Sequence, residues 1–290
     1  MGGGRRRRRG AILVTVLWIS ALILWVGFQV SAETRLRSEE EVHALRRSQG
    51  FYLAMGGAAE ALAAMTEAPR AEGLRPREGD RLRPDGKPRI FRYGKGEAVV
   101  VVEDEETKVN VNAAEGRTLR AVFERAGVPP EEAERLSDTV LDFIDADDIP
   151  RTKGAEKEAY ARAGLAVRPF DGSLTSLDQM LLIPGITPGL FFGSGGGRTR
   201  LGKDGEPLPD PAFPGADSLF QSLTVYGNNS ELKPVPEGER PPPVFRPQGT
   251  YRILSCGRAA AGPPAVVLWL VVRLSPASRL GYDVLYRKIL

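Results

Sequence analysis

The sequence predicts an α+β fold with a long N-terminal helix, a mainly helical central region and a small antiparallel sheet. Three observations support this prediction. No proline occurs from Ser31 to Met65, where apolar residues recur at helical spacing. Two amphipathic patterns with helix start and stop signals occupy the middle of the chain. Three β-rich runs separated by turn residues form its C-terminal end.

The first element is an uncharged apolar run, Ala11–Val30, directly behind the arginines at positions 5–9. As a helix with a rise of ~1.5 Å per residue, this run would span roughly 30 Å, the thickness of a bilayer core. Arginines precede it and Glu33 follows it. The positive-inside bias therefore predicts that residues 1–10 stay in the cytoplasm while the chain after Val30 is exported.

Two processing sites compete at this end of the chain. Val30, Ser31 and Ala32 form a small-residue site ahead of Glu33, which would release a soluble protein after signal-peptide cleavage. However, the apolar run exceeds the roughly 7–15 residues of a signal-peptide core. Cleavage between Gly10 and Ala11 would instead leave the hydrophobic helix on the mature protein.

The helical pattern continues beyond the apolar run. One amphipathic stripe consists of Leu45, Gln49, Tyr52, Leu53, Gly56, Ala59 and Ala63. A single helix from Ala11 to Met65 would be ~80 Å long, and the alternative is two helices with a break near Gly27 or Gly56. The small residues at positions 56–59 would let this helix lie close against a sheet or another helix.

Charge and cysteine content argue against a nucleic-acid-binding protein and against a disulfide-stabilised fold. The chain has 40 basic and 37 acidic residues, but five arginines lie in the first ten positions, which leaves 35 basic residues in the remainder. This balance does not predict nucleic-acid binding. Cys256 is the single cysteine, so no internal disulfide can form. The 33 glycines and 23 prolines indicate long irregular connections within one or two domains.

The central region begins with a strand. Tyr93–Glu103 contains four consecutive valines at positions 99–102 and predicts a buried strand. A helix ending at Gly127 and a second helix opening at Pro129 and Pro130 follow it. The inward positions of these helices are Leu119, Val122, Phe123 and Ala126 in the first, and Ala133, Leu136, Val140 and Ile144 in the second.

The rest of the chain alternates loops and strands. Composition predicts loops at Gly193–Gly215 and from Gly227 to Pro243, with a strand at Leu219–Tyr226 between them. A three-stranded antiparallel meander is predicted at the C-terminal end. Its strands are Tyr251–Cys256, Ala265–Leu274 and Tyr282–Leu290.

The N-terminal region resembles the type IV pilins and type II secretion pseudopilins. Like them it has a short basic leader ending in Gly10, then a hydrophobic segment that runs into an amphipathic helix. The resemblance implies cleavage by a prepilin peptidase and a fifth mature residue at Thr15, where most family members carry glutamate. That glutamate is thought to offset a charge of the subunit ahead in the membrane. Thr15 cannot do so, which makes it the tip-defining position.

Two central segments narrow the resemblance to the protein K family of large minor pseudopilins. They are LDFIDADDIP at 141–150 and SLTSLDQMLLIPGITP at 173–188, within a similarity that covers Lys108 to Pro188. Between about 190 and 248 the sequence departs from the family pattern, because only Asn228 and Asn229 stand where members continue with an asparagine motif and a helix.

The resemblance implies a pilin-like body in which the long transmembrane and amphipathic helix packs on the small antiparallel sheet. A mainly helical domain would be inserted in that body. The implied division is a removed leader at 1–10, a transmembrane part at 11–30, the rest of the helix and first strand region at 31–107, the inserted helical domain at 108–218 and the C-terminal part of the body at 219–290.

The resemblance also implies a function in protein export. The chain would form the tip of a periplasmic pseudopilus and stand in the bacterial inner membrane by a single pass. The implied partners are the minor pseudopilins of the I and J types, the major pseudopilin, the inner-membrane assembly platform and the prepilin peptidase. The alternative from the N-terminus is a periplasmic or secreted binding protein with a cleaved ordinary signal peptide.

An aspartate-rich turn is the candidate metal site. Calcium prefers several oxygen ligands on one loop, and the family resemblance also suggests this ion. The candidate ligands are Asp142, Asp145, Asp147 and Asp148. EF-hand spacing is absent, because the sixth and twelfth places counted from Asp142 hold Asp147 and Lys153. The alternative is a solvated helix end or a site that pairs with Arg151.

Two further features have alternative interpretations. Asn110 and Asn112 could ligate a metal or stabilise a turn or strand edge. The segment Ile183–Ile186 resembles the hairpin of helix-hairpin-helix DNA-binding modules, but the charge balance and the outward topology favour a tight turn between packed helices.

Catalytic motifs are absent from the sequence. The single histidine, His43, lies among charged neighbours in the long helix, and Cys256 lies in a predicted strand. No phosphate-binding loop or dinucleotide fingerprint occurs. We therefore expect a protein that acts by assembly rather than by catalysis, and the remaining alternative is a membrane-anchored hydrolase that uses a pair of carboxylates.

Overall fold

The computed structural model describes residues 4–66, 82–193, 198–201, 207–210, 213–215, 217–232, 244–259 and 266–290. Side chains are described in these ranges except at 4–13, 30–40, 198–201 and 207–210. The chain divides into two units, Met1–Gln49 and Gly50–Leu290. The first is helical in its described part, and the second contains the sheet and the remaining helices.

A single helix, α1, runs from Gly4 to Thr66. It continues through Gly27 and Gly56, so the alternative of two separate helices is wrong. Apolar side chains between Val14 and Phe28 are exposed, including Trp18 and Leu24. Among the described residues, no helix combines the length and hydropathy of a membrane span.

A five-stranded antiparallel sheet forms the centre of the second unit. Its spatial order is β1 (Arg89–Tyr93), β2 (Gly96–Asp104), β7 (Thr250–Arg258), β8 (Val266–Leu274) and β9 (Tyr282–Ile289). The predicted C-terminal meander is confirmed as β7, β8 and β9. The predicted central strand is β2, and its hairpin partner β1 was not predicted.

The helical part of the second unit lies between β2 and β7 in the sequence. We call it the helical layer. It consists of α2 (Gly116–Arg125), α3 (Pro130–Ile144), α4 (Lys157–Arg162), a 3-10 helix (Leu177–Leu182), α5 (Pro188–Phe192) and α6 (Leu219–Ser222). Both predicted amphipathic helices are confirmed as α2 and α3.

The three central strands, β2, β7 and β8, are buried on both faces, which explains the continuous valine run in β2. Successive strand residues point to opposite faces. Val99 and Val101 join an apolar core with the helical layer, while Val100 and Val102 join a second core with Ala54 and other residues of α1. The Gly50–Leu290 unit therefore has three layers, in which the sheet separates α1 from the helical layer.

Glycines allow α1 to approach the sheet closely. A Cβ atom on Gly257 of β7 would lie 1.9 Å from the Gly50 carbonyl oxygen. Any side chain at this position would therefore force α1 and β7 apart. A Cβ on Gly57 would lie 2.7 Å from side-chain atoms of Ala98, Val100 and Ser255. The sequence-based expectation of close helix packing at Gly57 is confirmed.

Two predictions for the segment between α5 and β7 need correction. The segment Leu219–Tyr226 is not one strand, because the Ser218 hydroxyl accepts a hydrogen bond from the Gln221 N–H and so caps α6. Only Leu223–Thr224 is extended, as β6, and it pairs in parallel with β3 (Val109–Asn110).

The predicted loop Gly193–Gly215 contains an antiparallel pair. Its strands are β4 (Arg198–Leu201) and β5 (Pro207–Asp210). Much of the second predicted loop, at residues 233–243, lies outside the described residues. The predicted domain boundaries stay predictions.

Candidate functional site

The loop after α3 brings together most of the acidic side chains predicted as metal ligands. Asp142, in the last turn of α3, is fully buried and bound by Arg151. The Arg151 backbone N–H donates to Asp142 Oδ2 at 3.1 Å, and its guanidinium Nη1 donates to Oδ1 at 2.7 Å. Arg151 Nη1 also contacts Asp145 Oδ2. Asp142 is therefore neutralised by Arg151, as the arginine-pairing alternative predicted.

The remaining acids form two overlapping groups around one glutamate. Asp145, Asp147 and Glu156 can bring one oxygen each within 4.8 Å of one another, and Asp148, Glu156 and Asp171 can do the same. The sequence predicts Asp145, Asp147 and Asp148 as ligands, but it does not predict Glu156 or Asp171. Glu156 and Asp171 lie later in the sequence than the aspartate-rich turn, and the tertiary fold brings them close to it.

Glu156 is the buried member of both groups. Its side chain is 3% exposed, and neither carboxylate oxygen has a hydrogen-bond partner. Burial, together with the smaller effect of the nearby charges of Asp142, Asp145, Asp148 and Asp171, raises the pKa of Glu156 to about 7. A buried carboxylate without a partner is costly unless it is protonated or meets a cation.

Lysine already occupies one side of the cluster. Lys157 Nζ lies 2.7 Å from Asp148 Oδ1 and 2.9 Å from Asp171 Oδ2. On the other side, Asp145 Oδ1 is buried without a hydrogen-bond partner, as are both Glu156 oxygens. An oxygen-only donor set with unused buried oxygens fits a hard cation such as Ca²⁺. The group of Asp145, Asp147 and Glu156 fits it best.

The two predicted asparagines use their amides to hold backbone segments together. Asn112 Oδ1 accepts from the Leu174 N–H at 2.8 Å, and Asn112 Nδ2 donates to the Leu174 carbonyl at 2.9 Å. Asn110 Nδ2 donates to the Gly227 carbonyl at 2.6 Å, and Asn110 Oδ1 accepts from the Asn112 N–H. These bonds match the turn and strand-edge alternative.

The segment Ile183–Ile186 is a turn between the 3-10 helix and α5. Gly185 has a φ of 95°, and a Cβ there would lie 2.6 Å from Arg135 Nη2 of α3. Ile183 and Ile186 are buried in the core of the helical layer. The hairpin therefore packs against α3, as expected of a turn between packed helices.

The remaining candidate residues lie apart from the acidic cluster. His43 and Thr15 are exposed on α1. Gly10 and Ala11 also lie in α1, but their side chains are outside the described ones. Cys256 is buried in β7, where burial raises the pKa of its thiol, so it is a small core residue.

Comparison with known proteins identifies the central region. Residues 98–191 match the family model of type II secretion system protein K. This region is therefore similar to the protein K family. The match covers most of β2 and most of the helical layer, and it confirms the resemblance predicted from Lys108 to Pro188.

Two individual proteins are similar to this chain. Type II secretion system protein K of Pectobacterium carotovorum subsp. carotovorum is 27% identical over 207 residues, which are 64% of this chain and 61% of that protein. The chain therefore matches less than two thirds of that protein K. A chain in the crystal structure of the GspK-GspI-GspJ complex from enterotoxigenic Escherichia coli is 16% identical with a TM-score of 0.49, covering 88% of this chain and 99% of that one.

Proposed function

We propose that this protein is a minor pseudopilin of a type II secretion system. It would form the tip of the periplasmic pseudopilus and support protein export across the outer membrane. The observation that carries this proposal is the protein K domain at residues 98–191, which follows a long N-terminal helix. Its role is assembly, and we propose no catalytic step.

The N-terminal helix would anchor the protein in the inner membrane after cleavage between Gly10 and Ala11. The sequence from Ala11 to Val30 has no charged residue. In the described part of this run, the apolar side chains of α1 are exposed on all sides, including Val16, Leu17 and Trp25. Such a surface is favourable in lipid and costly in water.

The tip position follows from Thr15 and from the helical layer. A residue without a carboxylate at this place cannot offset a charge of a subunit above it in the membrane. The helical layer adds bulk on one face of the sheet, which would block addition of a further subunit. The proposed partners are the minor pseudopilins of the I and J types below it, the major pseudopilin, the assembly platform and the prepilin peptidase.

N-terminal sequencing of mature protein from a host with a complete secretion system tests the anchor. We expect the mature chain to begin at Ala11, and the Gly10→Glu variant to keep its leader. The matched Ala32→Glu variant should be processed normally. A mature chain that begins at Glu33, with processing blocked in Ala32→Glu instead, would support a periplasmic or secreted binding protein.

Co-purification tests the proposed partners. The full chain, extracted in detergent, should retain the I and J pseudopilins of the same system. A chain that begins at Glu33 and lacks the apolar helix is the control for the contribution of that helix. Failure of the full chain to retain either protein, despite correct processing at Ala11, would count against the tip assignment.

We also propose that Asp145, Asp147 and Glu156 hold a calcium ion, with Asp148 and Asp171 as neighbouring ligands. The ion would supply the positive charge that the buried Glu156 carboxylate lacks. This arrangement would fix the loop after α3 against the start of α4. Asp142, the fourth predicted ligand, would orient the site through its contacts with Arg151.

Isothermal titration of the purified chain with CaCl₂ and MgCl₂ tests this site. We expect Ca²⁺ to bind more tightly than Mg²⁺, because Ca²⁺ accepts irregular oxygen coordination whereas Mg²⁺ requires near-octahedral geometry. Glu156→Gln should weaken Ca²⁺ binding by about tenfold or more, since even changes outside the ligand shell have effects of that size. Glu131→Gln, on the exposed start of α3, is the control. Equal Ca²⁺ binding by both variants would exclude this site.

A further inference from the structure

Four charged side chains are buried where the sheet meets the helical layer. They are Glu103 at the end of β2, Glu105 and Lys108 just after it, and Arg252 in β7, and none is more than 5% exposed. We call them the buried charge cluster. Glu103 and Arg252 are partners in the β2–β7 register. The alternation of the strands places them on the same face as Val101 and Leu254, towards the helical layer.

Arg252 connects the sheet to the end of α6. Its Nε lies 2.6 Å from Glu105 Oε1, and its Nη2 donates to the Leu223 carbonyl at 3.0 Å. Its Nη1 donates to the Phe220 carbonyl. The guanidinium carbon also lies 4.2 Å from the centroid of the Phe220 ring. One side chain of β7 therefore binds the backbone of α6 at Phe220 and the backbone of the next residue after the helix, Leu223.

Lys108 and Glu105 bind the same segment from the other side. Lys108 Nζ donates to Glu103 Oε2 at 2.6 Å and to the Gln221 carbonyl at 2.9 Å. The Thr224 hydroxyl donates to Glu105 Oε2. Both cations thus reach carbonyl groups at the C-terminal end of α6, where helix carbonyls lack helical partners. Lys108 is paired with Glu103 at the end of β2, and Arg252 is paired with Glu105 just after it.

These contacts are directional, whereas the surrounding apolar contacts are not. Trp269, Phe220 and Phe191 would bury their area almost equally well after a small shift of the helical layer. A buried ion pair adds little net stability compared with apolar residues, but it is satisfied in one arrangement only. The buried charge cluster therefore discriminates between positions of the helical layer on the sheet.

We propose that Glu105 and Arg252 are positioning residues that hold Leu219–Thr224, and with it the helical layer, at one place on the sheet. Without the pair, the two layers remain folded but their relative position varies. The use of this fixed position in a filament tip rests on the proposed function. The positioning itself does not, because it is a property of the isolated chain.

Spin-label distance measurements on the full chain in detergent test the proposal. Labels at Glu131→Cys in α3 and Arg287→Cys in β9 report the two layers, since both positions are exposed and Cys256 is buried. In the Glu105→Leu/Arg252→Met variant we expect the distance distribution to widen at least twofold. Amide exchange at Leu223 and Thr224 should become at least tenfold faster. The melting temperature should stay within about 5 °C of the unsubstituted protein.

Two further variants complete the test. Arg252→Met alone leaves Glu105 buried without its cation and should melt at lower temperature than the double variant. Arg120→Met/Glu124→Leu removes the exposed 2.9 Å ion pair of α2 and should leave the distance distribution unchanged. A double variant with the original narrow distribution, or one whose sheet unfolds, overturns the proposal. Neither result depends on whether I and J pseudopilins bind.

Discussion

Glu156 is a buried acid whose carboxylate oxygens have no hydrogen-bond partner. Its predicted neighbours Asp145, Asp147 and Asp148 could be named from the sequence because they follow the end of α3 within a few positions. Glu156 and Asp171 could not, because no spacing rule links them to that turn. The sequence could name Arg151 as an alternative partner of the aspartates. It could not predict that Arg151 binds Asp142, because that ion pair depends on how the loop after α3 folds back.

The raised pKa of Glu156 predicts a pH-dependent stability in the absence of calcium. The folded chain holds this proton up to about pH 7, while the unfolded chain releases it near the ordinary value of 4.5. Stability contributed by the protonated form is therefore complete below pH 4.5 and is lost as the pH rises towards and through 7. Melting temperatures measured in EGTA should fall from pH 5 to pH 8 more for the original chain than for Glu156→Gln. Parallel curves for the two proteins would contradict this prediction.

Asn112 predicts a second effect at the residue scale. Asn112→Ala removes two hydrogen bonds to Leu174 and leaves that residue's backbone groups without these partners. We expect a loss of about 2 kcal/mol in the free energy of unfolding, measured by urea titration. Asn228→Ala, at an exposed side chain, should change it by less than about 0.5 kcal/mol. Equal losses at both positions would rule out a specific role of the Asn112 amide.

At the scale of elements, pattern and propensity predicted those that are long and periodic. Helices α2 and α3 and the C-terminal strands follow their apolar spacing. The strand predicted at Leu219–Tyr226 was wrong because a serine cap and the bonds from Lys108 and Arg252 stabilise a helical turn there. The β-branched and aromatic residues of this segment favour a strand by intrinsic propensity, but the tertiary contacts outweigh that propensity.

The contact of α1 with β7 predicts a large effect of one methyl group. In Gly257→Ala the new Cβ meets backbone atoms of Gly50 and Ala54, which cannot turn aside as a side chain would. We expect the unfolding free energy to fall by about 3 kcal/mol. Gly189→Ala in α5, where the nearest atom is 3.8 Å away, should leave it within about 1 kcal/mol of the original value. A tolerated Gly257→Ala would disprove the close approach.

At the scale of the Gly50–Leu290 unit, one apolar core joins the helical layer to the sheet. Val99, Leu254 and Trp269 of the sheet share it with Phe123, Leu136 and Phe191 of the helical layer. The sequence could predict that a helical insertion exists. It could not predict that the insertion buries the face of the sheet opposite α1. A valine run indicates a buried strand but not which elements cover it.

The shared core predicts cooperative unfolding of the second unit. Differential scanning calorimetry should give one transition for it, with the calorimetric enthalpy equal to the van't Hoff enthalpy. Tyrosine and tryptophan fluorescence should report the same midpoint as far-UV circular dichroism. Two resolved transitions within Gly50–Leu290 would mean that the helical layer and the sheet unfold separately.

The pairing of β2 with β7 also sets an order of events during synthesis. Val100 meets Ser255 only after the ribosome has made the whole helical region between them. Until then the β1–β2 hairpin has an inner edge of valines without its neighbour, and such long-range pairing makes folding slow. The chain therefore exposes an unpaired strand edge until β7 is present, and it is prone to aggregation during that interval.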